Sequence, residues 1–366
     1  MVVVGPFRGT GGVVTFQRNL IERSDLKERW HFVPHSNSRP PKRHVDENLS
    51  YRALWNSGLR RLAKGAAVTA YNLARYPVVL RRAGADVVQI QSSDYLAFWE
   101  SAAYLAVSRA MGVPAVVRFG GSFNVFYERS GTVGQRMIRR VLASPDAIVV
   151  QSPNWKRYFS ELVDDSDRLN VVPNAVPMPP EPPVRGDHTR EVRALFICGE
   201  NAKLKGIDTV LGAAPELAGH VHFVLVAAGE PVVERVHQLG LADQCTMHGT
   251  VPRERMLELY READVFLIPS HREGFPNSLL EAMAAGLPVV GSPAGAIPEV
   301  LEEGVGGFLN AHEDAEGLGR DLLALASDPD LRKRMGAANY RRVCETFELN
   351  TAFAAFDRIW GAAIER

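Results

Sequence analysis

The chain has 366 residues, 46% of them hydrophobic and 23% charged, ordinary globular values that exclude a collagenous, low-complexity or wholly disordered chain. This length exceeds what one hydrophobic core usually organises and points to two domains. Forty-two basic residues balance 42 acidic ones, which argues against a general nucleic-acid binder, a role that calls for a marked basic excess.

In chain order, the first half alternates short β-branched runs with helical patterns: VVV at 2–4, HFV at 31–33, DVVQI at 86–90, PAVVRF at 114–119 and AIVV at 147–150. This is the βαβ rhythm of a parallel sheet. Between the first two runs Val13, Phe16, Leu20 and Ile21 recur at helical spacing directly after Gly11 and Gly12, so a glycine-rich turn opens the first helix. The N–H groups of that turn, residues 9–12, are candidates to approach a phosphate or an acceptor. A dinucleotide-dehydrogenase fingerprint is absent, because position 14 is valine and the second strand ends Val33-Pro34-His35 with no acidic residue.

Residues 39–82 carry ten Lys or Arg against Asp46 and Glu47. The charges are interleaved with Leu54, Trp55, Leu59, Leu62, Tyr71, Leu73, Tyr76 and residues 78–80. Two readings stand: an interfacial helix meeting an anionic membrane surface, or amphipathic helices packed on the first domain. Asp165-Ser166-Asp167 has the D-x-D form of a metal site. It lies in an acidic loop before LNVV rather than at a strand end, and solvated loop charge is the expectation there.

From 173 to 183 six prolines fall in eleven residues, a density that marks a linker. The rhythm then restarts with ALFIC at 194–198, HFVLVA at 222–227, DVFLIP at 264–269 and LPVV at 287–290. Met256, Leu259, Tyr260 and Ala263 mark the helix before the third run. Domains at 1–178 and 179–345 follow, then a helical segment at 346–366, with the carboxyl-end loops free to line a shared cleft.

Cys198, Cys245 and Cys344 are far apart and form no C-x-x-C pair, so neither a disulfide framework nor a zinc site is indicated and a cytoplasmic setting is expected. The N-terminus lacks signal-peptide features and no apolar run approaches about 18 residues, so any membrane contact is expected to be peripheral.

The most informative stretch is PSHREGFPNSLLEAMAAGLPVVG at 269–291, read as strand end, loop, helix, turn and strand. Pro276 and Asn277 suit a helix opening. The N–H groups of Asn277, Ser278 and Leu279 then form a helix N-terminus fit for a phosphate. Glu281 sits among Leu279, Leu280, Ala282, Met283 and Ala284, and a carboxylate in that setting needs donors such as a ribose diol. Taken alone, Glu273 and Glu281 also fit ordinary surface charges flanking a core helix.

This segment, with ADVFLIPS, VVPNAV at 171–176, Pro298-Glu299 and GVGGFL at 304–309, closely resembles the signature of family 4 glycosyltransferases. The resemblance is near-continuous over 193–342 and patchier over 1–177. It implies the α/β GT-B fold: two facing Rossmann-like domains with parallel sheets and an interdomain cleft, the C-terminal one holding a nucleotide sugar, and a last helix at 349–364 returning to the first domain. It further implies that Glu281 binds the ribose and that Glu273 lies by the hexose with the backbone of Phe275, Pro276 and Asn277. Lys205, before Gly206, matches the family's diphosphate lysine. The usual outcome is hexose transfer with retention and without a metal. No cofactor is expected beyond the nucleotide-sugar co-substrate, and the acceptor is expected to be a glycan or lipid-linked saccharide.

Two positions depart from the family pattern. Where relatives often carry an arginine after the glycine of Cys198-Gly199, this chain has Glu200, which leaves Lys203 or Arg272 to supply the missing cation. Where many carry histidine then glycine on the acceptor side, it has Gly120 and Gly121, with Arg118, Ser122 and Asn124 as the nearest polar substitutes. Two rival readings follow: a catalytically silent relative that binds sugar nucleotide or glycan, and a GT-B sugar-nucleotide epimerase.

Overall fold

The computed structural model describes residues 1–7, 12–22, 25–37, 59–121, 123–179, 181, 191–199 and 201–366. It divides into two compact units, Met1–Asn174 with Leu349–Arg366, and Ala175–Glu348. Each is built on a six-stranded sheet in which every pairing is parallel.

In the first unit the strands are β1 (Val2–Gly5), β2 (Val33–Ser36), β3 (Val88–Ser92), β4 (Ala115–Phe119), β5 (Ala147–Val150) and β6 (Leu169–Val171), in the order β2-β1-β3-β4-β5-β6. Parallel strands need helical crossovers on both faces, so their residues are covered on both sides; β1, β3, β4 and β5 are buried along their whole lengths. The first helix, Gly12–Glu22, buries Phe16 and Leu20 as its spacing predicts. The second strand includes the Val33-Pro34-His35 end read from the sequence and begins at the last residue of the HFV run, pairing Val33 with Val2 and Pro34 with Val3. It is an edge strand, where a residue without an N–H costs no ladder bond on the open side.

Of the basic stretch, residues 39–58 lie outside the described residues. The helix Leu59–Ala83 continues it and turns Tyr76 and Leu80 into the core while Tyr71 and Val78 stay exposed. Its inner side therefore packs on the first unit in the manner of an ordinary amphipathic helix. Among the described residues no helix is long and apolar enough to cross a membrane.

The final helix, Leu349–Glu365, completes the same unit. Phe353 and Phe356 lie 6.4 and 5.7 Å from the Phe16 ring, and Trp360, wholly buried, donates to Gln89 Oε1 at 2.8 Å. Asp357 accepts from Trp30 Nε1 and Arg29, each at 2.6 Å. Burying each such aromatic side chain is worth roughly 2–3 kcal/mol, which ties the end of the chain to its beginning.

The second unit holds β7 (Val192–Ile197), β8 (Val221–Val226), β9 (Cys245–Met247), β10 (Val265–Ile268), β11 (Val289–Gly291) and β12 (Gly307–Leu309), in the order β12-β11-β10-β7-β8-β9. Alternate residues serve opposite faces: Leu195, Phe266 and Ile268 pack with Leu279, Leu280 and Met283, whereas Ala194, Phe196 and Leu267 pack with Val210, Leu211 and Leu322. Three strands that the hydrophobic runs do not show, β6, β9 and β12, are three-residue edges with a single neighbour each. Of the proline-rich segment, Val176 donates to Phe347 O at 3.0 Å and Pro179 O accepts from Tyr340; residues 180 and 182–190 lie outside the described residues.

Candidate active site

Strands β7 and β10 are parallel neighbours, so the loops leaving their carboxyl ends start side by side. The first loop brings Lys205 and the second brings Glu273. His271 N donates to Leu204 O at 2.9 Å, stitching the two together. Two glycines permit the approach. Gly206 has φ +86°, and a Cβ there would stand 2.1 Å from Pro269 O; Gly295 has φ +57°, and its Cβ would meet Glu273 O at 2.0 Å. No L side chain fits either place without moving backbone. Ala296 N donates to Gly274 O at 3.1 Å, closing the Glu273 loop against the chain that follows β11.

Between the loops Lys205 Nζ donates to Glu273 Oε1 at 2.6 Å, with the glutamate side chain 8% exposed and the lysine 37%. Ser270 Oγ donates to the same oxygen at 2.8 Å. The carboxylate is nearly out of water and is stabilised there by one cation and one hydroxyl.

The helix Asn277–Ala284 begins at the residue the sequence indicates, directly after Pro276. Phe275 and Leu279 are core residues, Phe275 against the Phe347 ring at 5.9 Å and Leu279 with no exposure. With Pro276, also buried, they can present only backbone to a ligand. Asn277 and Ser278 are half-buried.

Glu281, one turn further on, is not an orphan. Arg253 Nη1 donates to its Oε1 at 3.0 Å and the Tyr260 hydroxyl to its Oε2 at 3.2 Å. Burial, with Glu281 adding to it, raises the Tyr260 phenol well above its ordinary range, so it stays a donor. Sequence reasoning placed Tyr260 on the apolar stripe of its helix and passed over Arg253. The signal available was that Glu281 needed donors and that Arg253–Glu262 packs beside it.

In the first unit the reading of Arg118 needs correcting. Expected among the acceptor-side polar groups, it has no exposure and points inward. Its guanidinium lies 4.2 Å from the Phe16 ring centroid, donates to Asn174 Oδ1 at 2.6 Å and reaches Gln91 Oε1 at 3.4 Å. Burial lowers its pKa to about 9. Gly120 is half-buried, and a Cβ there would meet the Gln91 and Gln151 amides at 3.7 Å, ordinary contact distance. Gly121 is exposed with φ +86°. Gly12 opens its helix, while Gly11, Ser122 and Glu200 lie outside the described residues; Lys203 and Arg272 are exposed. Asp165 accepts from Asp167 N at 3.0 Å and Arg168 Nε at 2.8 Å, so its carboxylate serves the local turn.

Residues 187–342 match the family described as Glycosyl transferases group 1, and residues 10–179 match Glycosyltransferase Family 4. The chain belongs to the family 4 glycosyltransferases. Among curated members of this kind it is 31% identical over 248 residues to a D-inositol 3-phosphate glycosyltransferase of Xylanimonas cellulosilytica, covering 62% of this chain and 59% of that one. The chain spans about half the length of the curated relatives it matches. Two solved structures share its fold over 98% of both chains. Sucrose-phosphate synthase from Thermosynechococcus elongatus has a TM-score of 0.77 at 17% identity, and Anabaena HepE, solved with UDP and glucose, one of 0.68 at 14%. These likenesses and the two parallel sheets give this family 4 chain the two-domain GT-B fold.

Proposed function

We propose that the chain transfers a hexose from a nucleotide-diphosphate sugar to a glycan or lipid-linked saccharide, with retention at the anomeric carbon and without a metal. The observation that carries this reading is the convergence, at the carboxyl edge of the second sheet, of the Lys205 cation, the Glu273 carboxylate and the N–H groups opening the helix Asn277–Ala284. Charge grows on the leaving diphosphate as the sugar departs, and a fixed cation with aimed N–H donors stabilises that charge most. An ammonium has three donors, so Lys205 can keep Glu273 while turning toward phosphate. Glu273, nearly dry, opposes the positive charge developing on the sugar. Each oxygen of Glu281 retains a lone pair beside its protein donor for a ribose hydroxyl. With glycine at position 120, the acceptor proton passes to the donor phosphate rather than to an imidazole.

The test begins with thermal stabilisation by UDP-, GDP- and ADP-sugars, since a ligand bound at 100 times its Kd stabilises by about 2.7 kcal/mol. One nucleotide class should raise the melting temperature, and Glu281→Ala should abolish the shift. Product analysis should then show transfer with the anomeric configuration of the donor, unchanged by a chelator. Binding without turnover would favour the silent-relative reading, and donor conversion without acceptor the epimerase.

A further inference from the structure

Ser270 is wholly buried, and its hydroxyl is directed at Glu273 Oε1, the oxygen that Lys205 also occupies. Its carbonyl is held in turn by the Ser292 hydroxyl, itself buried, from the residue after β11. Both donors fall on one oxygen, and among the described residues Glu273 Oε2 takes no hydrogen bond. The two donors differ in freedom. Lys205 is a long side chain over a third exposed, whereas Ser270 cannot turn away without leaving a buried hydroxyl unpaired.

We infer that Ser270 is a positioning residue for the transfer reaction: it pins Glu273 by Oε1 so that Oε2 faces the sugar, and it fixes that orientation while Lys205, keeping its bond to Glu273, turns its other donors toward the diphosphate. The inference rests on the transfer reading above. A buried serine that merely fills space would not place its hydroxyl on the oxygen that Lys205 also takes; the Ser292 bond is to the carbonyl of residue 270 and steadies the main chain from which that hydroxyl is aimed. Ser292, Ser270 and Glu273 run in series from the end of one strand to the reacting edge.

The test is a double-mutant cycle of Ser270→Ala and Glu273→Ala, with kcat and donor Kd measured separately. A hydrogen bond to a charged group is worth roughly 1.5–3 kcal/mol, so Ser270→Ala should lower kcat about tenfold or more and leave donor Kd within about twofold. In the Glu273→Ala background the same change should cost nothing further, because coupled residues fail to add. Ser270→Cys, similar in volume with a weaker donor, should fall between serine and alanine and serves if the alanine variant folds poorly. Additive losses, or a loss confined to donor binding, overturn this role while leaving the transfer reading intact. No turnover by the wild-type protein with any donor overturns both.

Discussion

Tyr260 and Arg253 show how a carboxylate in an apolar setting is kept charged. Each supplies a donor to a different oxygen of Glu281, so the side chain enters any ligand complex already oriented rather than seeking a partner. Removing the phenol oxygen leaves the ring's packing intact and deletes its bond to Glu281 Oε2 at 3.2 Å together with a longer contact to Ser278 O at 3.4 Å. Tyr260→Phe should therefore weaken donor binding about tenfold at unchanged fold, read by calorimetry against wild type. An unchanged Kd would mean that Arg253 alone sets the position of Glu281. Sequence reasoning looks to a ligand for donors to both oxygens; the fold already supplies one to each from two residues of a neighbouring helix.

At the scale of elements, the site is an outcome of two strands being adjacent. Because β7 and β10 pair, residues 68 positions apart come within one salt bridge, and the glycines at 206 and 295 let backbones touch where side chains would collide. Gly295→Ala places a methyl against Glu273 O in a left-handed backbone conformation, a strained change costing of order 1–3 kcal/mol before any displacement. We expect a lower melting temperature together with a kcat loss larger than the stability loss explains, since the Glu273 loop must move to relieve the clash. A variant that loses stability but keeps full turnover would show that the loop tolerates the shift. The helix Asn277–Ala284 was legible because its opening residues and apolar run are local signals. The start of strand β2 is less legible than its Val33-Pro34-His35 end, because an edge strand has only one neighbour and a short apolar run marks its bounds weakly; β6, β9 and β12 leave no apolar run of their own for the same reason.

For the molecule as a whole, each unit holds a histidine whose charged form is disfavoured, His35 buried and His222 half-buried. His35, packed against Tyr76 and Tyr104, has its pKa lowered from the ordinary 6.5 chiefly by burial and then by Arg75; His222 in the second unit is lowered first by burial. Below 6.5 the unfolded chain takes up protons that the folded one resists, so unfolding gains and stability falls. This contribution is present above pH 6.5 and lost as the pH drops toward the folded values. Melting temperature measured from pH 7.5 to 5.5 should decline, and His35→Phe should flatten part of that decline. An unchanged slope in the variant would assign the acid sensitivity elsewhere.

What the sequence by itself determined was what local chemistry encodes: the apolar runs that became the central strands, the helix opening at Asn277, the glycine-lysine loop, and the motif by which the family is known. What only the tertiary structure decided was partnership. That Lys205 and Ser270 donate to the same oxygen of Glu273, that Glu281 is held by Arg253 and Tyr260, and that Arg118 turns into the core are outcomes of which segments the fold brings together. A parallel sheet joins strands through crossovers, so strand order, not sequence separation, chooses which loops meet. Burial then decides which polar groups must find partners, and only the folded arrangement shows which ones they find.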